Sequence, residues 1–107
     1  MRARLPDRRP ADTIQLRSVH QSRTLHLTLG YYPDTSRVGE LFVHGAKVGS
    51  HMDAMLSEFA TLLSIALQEG MELKTFAANV QREPDGRPSS VFGEIIDAIL
   101  AEVSVDA

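Results

Sequence analysis

The spacing of the apolar residues changes once along this chain, and that change limits what the chain can fold into. In the first part they alternate. "TIQLRSVH" sets Ile14 and Leu16 on one face, and "RTLHLTLGYY" sets Leu25, Leu27, Leu29 and Tyr31 on one face with Thr24, His26 and Thr28 opposite. A period of two belongs to strands with one buried face. From Met52 onward the apolar positions fall every three or four residues, through Met55, Leu56, Phe59, Leu63, Ala66 and Leu67, which is the period of a helix. A block of strands followed by a block of helices predicts an α+β domain, with the helices packed on one face of an antiparallel sheet.

The elements follow from local chemistry. The first two strands make a half-buried hairpin whose turn, near Gln21-Ser22, lacks the Asn-Gly or Asp-Gly pair that would pin its register. Pro33-Asp34 opens a second turn, and "GELFVH" supplies a third strand with Leu41 and Val43 inward, completing a three-stranded meander. Ser50 is placed to cap a helix running from about His51 to Glu69, with Asp53 three residues on to answer as in a capping box. Gly70 is the expected left-handed stop. Leu62 and Ile65 widen the apolar stripe of this long central helix beyond one face, so it is expected to be covered on two sides: by the sheet, and by other helices or a second subunit. That second cover motivates the expectation of a homodimer. A shorter helix follows with Leu73, Phe76, Ala77 and Val80 at helical spacing, broken by Pro84, Gly86 and Pro88. A third begins near Ser90 and carries Phe92, Ile95, Ile96, Ile99, Leu100 and Val103 on one face. The Asp and Glu residues of these last two helices read as solvated.

With 107 residues the chain makes one domain, and at that size folding buries roughly 65% of the unfolded chain's surface. Residues 1–11, with Arg2, Arg4, Arg8 and Arg9 around Pro6 and Pro10, read as a flexible basic arm, and residues 12–107 as the folded domain. There is no cysteine, which excludes disulfides, thiolate metal sites and thiol chemistry. No apolar run reaches the length of a membrane span and no signal-peptide core follows the arm, so the expected location is cytoplasmic, with no membrane partner. The net charge of −3 hides a split: residues 1–50 carry eight Lys or Arg against four Asp or Glu, and residues 51–107 carry three against ten. Such a split fits a nucleic-acid face, or halves and subunits that attract one another.

The strongest chemical suggestion is the run Gly45, Ala46, Lys47, Val48, Gly49 between the third strand and the long helix. A Walker loop needs the lysine directly after the second glycine, so this is not one. Gly45, Lys47, Gly49 and Ser50 remain candidates for holding an anion such as a nucleotide phosphate at the helix start, against the plainer reading of a turn capped by Ser50 and Asp53. A nucleic-acid module would draw on Arg8, Arg9, Arg17, Arg23 and Lys47, although the aromatic motif of sheet-based RNA platforms is missing and Tyr31 and Tyr32 at a strand end substitute for it poorly. His26, His44 and His51 are the candidates for a metal. With no HExxH pair and no carboxylate at a ligand spacing, no metal site and no cofactor is expected. No constellation for acid/base or nucleophilic catalysis is present.

Several of these segments together resemble a known family. "RLPDRR" at Arg4–Arg9, the "GELFV" stretch at Gly39–Val43, the Lys47-Val48-Gly49 step into a long apolar helix, and Gly70, Met71, Leu73 and Phe76 at the entry to the next helix are similar to the carboxy-terminal segment of cobalamin-dependent (class II) ribonucleotide reductases and to the related TSCPD domain. The cysteine-bearing stretch that gives that domain its name would fall near Ser89–Gly93, where this chain has none. The resemblance implies a free-standing, non-catalytic relative of the reductase's terminal domain. Such a relative would act in deoxyribonucleotide metabolism by association with itself, with a reductase or with a nucleotide.

Overall fold

The computed structural model describes residues 1–105; the last two positions of the expected domain, 106 and 107, lie outside them. The element order is β1 (Ala11–Ser18), β2 (Arg23–Tyr31), β3 (Val38–His44), α1 (His51–Gln68), α2 (Leu73–Asn79) and α3 (Val91–Val105). The three strands form one antiparallel sheet in the order β1-β2-β3. This is the α+β meander followed by helices that the change of period predicts.

The register places Ile14 opposite Leu27 and Leu16 opposite Leu25, and carries on with Leu27 opposite Val43 and Leu29 opposite Leu41. The middle of one sheet face is therefore apolar across three strands, with Asp12 at one end of it and Ser18 and Arg23 at the other. Leu25, Leu27 and Leu29 of the central strand are completely buried there, and Leu56, Ala60, Leu63 and Leu67 of α1 with Val91, Ile95 and Ile99 of α3 close over them. Against β3 lies α1, and against β1 lies α3. The two helices meet through Phe59 and Phe92, whose rings stack at 4.6 Å between centroids. The second cover expected for α1 is thus supplied in part by α3. It does not extend to Leu62, which stays 67% exposed.

Both ends of α1 are closed as the sequence predicts. The Ser50 hydroxyl accepts the Asp53 amide at 3.1 Å, and the Asp53 carboxylate accepts the Gly49 amide at 3.1 Å, one residue earlier than a standard capping box. At the other end Gly70 takes φ of 101°, and the Gly70 and Met71 amides donate to the carbonyls of Leu67 and Ala66, the paired bonds of a Schellman stop.

The first hairpin is held differently. Its turn residues 19–22 carry Ser22 at φ of 52°, and the buried Ser18 hydroxyl accepts the Gln21 amide at 3.0 Å. The Glu94 carboxylate, from the first turn of α3, accepts the Ser18 hydroxyl at 2.7 Å and the Val19 amide at 2.8 Å. Asp97, one turn on, takes both terminal nitrogens of Arg82 at 2.8 and 2.9 Å. These two acids of α3 are structural anchors and not the solvated face expected of them, because each finds a donor brought in by a distant segment.

The Arg82 hydrogen bonds hold the Asp97 carboxyl below its ordinary range, outweighing the partial burial that pushes it up. A depressed folded-state value means that the pair stabilises the fold at pH values above the unfolded carboxyl's range. That contribution is lost as pH falls through the lowered value. Thermal melts between neutral and acid pH are expected to show a steeper acid limb for the native chain than for Arg82→Ala. Identical limbs would show the pair to be inert.

Residues 1–11, expected from composition to be a loose arm, carry specific contacts in the structure. The Ala3 amide donates to the Gln68 carbonyl at 2.8 Å and the Arg2 guanidinium to the Gln68 side chain at 2.6 Å. The Tyr32 hydroxyl donates to the Ala3 carbonyl. Arg9 grips both oxygens of Glu40 at 2.6 and 3.1 Å.

Candidate functional site

The Gly45–Ser50 loop joins β3 to the start of α1, where helix amides could meet an anion. Gly45 and Gly49 both have positive φ, 124° and 79°, so the glycines are needed for the chain path itself. The Gly49 amide is occupied by the Asp53 carboxylate and the Asp53 amide by the Ser50 hydroxyl, so two donors that would face an anion already have acceptors, one of them negatively charged. Lys47 stands exposed on the loop. The geometry is that of a capped turn, with a lysine beside it.

The cations of the nucleic-acid alternative divide into two groups. Arg9 is committed to Glu40, whose hydrogen bond raises the guanidinium pKa further, and Arg8 lies exposed in the same amino-terminal segment. Arg17, Arg23 and Lys47 gather at one end of the sheet. Arg17 pairs with Thr24 across the β1–β2 ladder, Arg23 is the next residue back along β2, and its guanidinium donates to the Gly45 carbonyl at 2.8 Å, two residues before Lys47.

The histidines are partly brought together. His26 and His44 are direct partners across the β2–β3 ladder, both exposed on the face away from the helices. His51 opens α1 beyond the loop and does not join them: among the described residues no group of three or more His, Cys, Asp or Glu is arranged to hold a metal.

Two features were not anticipated. The free edge of β3 is stitched to α1 by side chains: the Ser64 hydroxyl accepts the Leu41 amide at 2.9 Å, and the Gln68 amide donates to the Gly39 carbonyl at 2.9 Å. Ser64 and Gln68 lie four apart on α1, and a buried polar pair at that spacing on an otherwise apolar stripe was the available signal. Beside this seam runs a groove of about 330 Å³ between β3 and α1, lined by Phe42, His44, Ser57 and Thr61 among others. The second feature is Phe42 itself, 48% exposed on the outer sheet face. Its direction follows from the inward Leu41 and Val43 on either side, but an aromatic ring left open to water there is a tertiary fact, since α1 and α3 both pack on the inner face.

Among the described residues there is no thiol and no cluster of three or more His, Cys, Asp or Glu arranged for a metal, and the features that stand out are surfaces and hydrogen-bonding groups. No helix among them is long and apolar enough to cross a membrane.

Comparison with known proteins agrees with the resemblance seen in the sequence. A vitamin B12-dependent ribonucleotide reductase of Rhodopirellula baltica is 37% identical over 93 residues, covering 83% of this chain but 9% of the reductase. The corresponding reductase of Streptomyces clavuligerus is 30% identical over 113 residues, covering 99% of this chain and 11% of the reductase. The chain therefore spans about a tenth of the length of these relatives. No solved structure matches it. The TSCPD domain matches residues 2–103, which take in every strand and helix from β1 to the body of α3, and on that extent the chain belongs to the TSCPD domain family.

Proposed function

We propose that this chain is a non-catalytic association module of deoxyribonucleotide metabolism, working in the cytoplasm as a counterpart of the terminal domain of a vitamin B12-dependent ribonucleotide reductase. The observation that carries the reading is the near-complete match of the chain to a segment that is only 9–11% of such reductases, in a sequence without a single cysteine. Ribonucleotide reduction proceeds through thiols, and a tenth of the enzyme lacking them is left with binding as its contribution. The surface best suited to that is the exposed side of α1, where Leu62 projects beside Ser57, Glu58 and Thr61. A large apolar side chain with polar neighbours suits docking on a reductase body or on a second copy of the chain.

The test is association with a vitamin B12-dependent reductase from which the matching segment has been deleted. Interfaces between domains resemble transient protein–protein interfaces, so binding with Kd on the order of 10 µM is expected by titration calorimetry. Leu62→Glu should weaken it at least tenfold and leave the melting temperature unchanged, because Leu62 contributes little to the core. Light scattering of the chain alone checks the homodimer. A strictly monomeric chain that also ignores the truncated reductase would remove the proposal.

A further inference from the structure

The charge split along the sequence becomes a polarity across the sheet. The helices, which lie in the acidic half of the chain, all follow the strands, and α1 and α3 pack on the inner sheet face; the outer face is left to residues of the basic half. Cross-strand pairing sets out that outer face row by row: Arg17 and Thr24, then Gln15, His26 and His44, then Thr13, Thr28 and Phe42. Its carboxylate, Glu40, in the next row beside Gly30, is neutralised by the two-pronged contact from Arg9. At the opposite end of that face stands Arg17, with Lys47 on the loop beyond β3; Arg23, opposite Ser18, belongs to the inner face and donates to the Gly45 carbonyl, and Asp53, the carboxylate at the adjoining start of α1, is turned onto the Gly49 amide.

We propose that this open sheet face binds a short single strand of nucleic acid, with bases stacked on Phe42, His44 and His26 and phosphates held by Arg17 and Lys47. Phe42 and His44 sit two positions apart on one strand and point the same way, about 6.7 Å apart at the usual rise. An unstacked single strand can place successive bases at that interval. Stacking on aromatic and imidazole rings needs no sequence motif, so the missing RNA-platform motif does not bear on it. A duplex is disfavoured, because a flat sheet with no projecting helix or ribbon reaches no base edge in a groove. The inference does not depend on docking on a reductase, which is carried by Leu62 on α1; Ser57 and Thr61 lie between the two surfaces, lining the groove with Phe42 and His44 and flanking Leu62.

The experiment is fluorescence anisotropy of the full chain with a labelled eight-nucleotide single strand, the matching duplex and a mononucleotide, in low and in moderate salt. The single strand is expected to bind best, with a log–log salt slope of about −1.4 for two phosphate contacts. Phe42→Ala is expected to weaken it roughly tenfold, the loss of one stacked base. Arg17→Ala should flatten the slope by about 0.7. Phe42 and Arg17 are both exposed, and far-UV circular dichroism confirms that the variants fold. No binding at low salt, equal binding of the duplex or of the mononucleotide, or an unchanged affinity in Phe42→Ala would each overturn the proposal. A change of oligomeric state in Phe42→Ala without any effect on the oligonucleotide would overturn it too, and would mark the face as a contact between copies.

Discussion

Truncating Leu27 to alanine is expected to lower the unfolding free energy by about 3 kcal/mol, the typical size of a large-to-small change at a site that cannot collapse. Leu27 is 0% exposed in the central strand, with Ile14 opposite it on one side and Val43 on the other. Its face is closed by α1 and α3, whose own contact through Phe59 and Phe92 keeps them from sinking into the void. Total stability for a domain of this kind is roughly 5–15 kcal/mol, so the loss is a large fraction of it. Urea denaturation should show a lower midpoint with an unchanged slope, and the melting temperature should fall by more than about 10 °C. A loss below about 1 kcal/mol would mean that the helices follow the missing side chain inward, contrary to a packing clamped by Phe59 and Phe92.

Glu94→Ala is expected to cost about 2 kcal/mol through a different mechanism. The substitution removes no core volume but strips a charged acceptor from the Ser18 hydroxyl and the Val19 amide, and Ser18 is completely buried. Hydrogen bonds to an ionised group contribute about 1.5–3 kcal/mol, and a buried donor left without an acceptor bears its full desolvation penalty. Glu94→Gln keeps the shape and one acceptor oxygen and should fall between the two. Amide exchange at Val19 and Gln21 separates this local effect from general loosening: both should quicken in Glu94→Ala well beyond the global change. A variant within about 0.5 kcal/mol of the native chain, with those amides unaffected, would show that the turn holds itself.

The two substitutions also mark the boundary of what the sequence disclosed. Leu27 was assigned to the core by alternation alone, and the caps of α1 were readable because Ser50, Asp53 and Gly70 act on residues within five positions of themselves. Glu94 was missed because its partners lie about 75 positions away; no local rule connects an acid in the first turn of α3 with a serine at the end of β1. For the same reason the hairpin register could not be fixed from its own turn residues. The contacts of residues 1–11 were hidden likewise, since Arg9 meets Glu40, 31 positions on, and Arg2 meets Gln68, 66 positions on. Of the candidate site, strand parity placed His26 and His44 on one outer face, whereas their direct pairing needed the β2–β3 register, and the gathering of Arg17, Arg23 and Lys47 at one end required the loop to fold back onto Arg23.

The stitching of β3 to α1 has a consequence for solubility at high concentration. A sheet grows into ribbons when both its outermost strands offer free backbone groups to incoming molecules. Here Ser64 and Gln68 already occupy the middle of one rim, at Leu41 and Gly39. Recruitment is thereby steered toward the rim formed by β1, and two molecules joined there use it up, so accretion by this route favours a pair over a fibril.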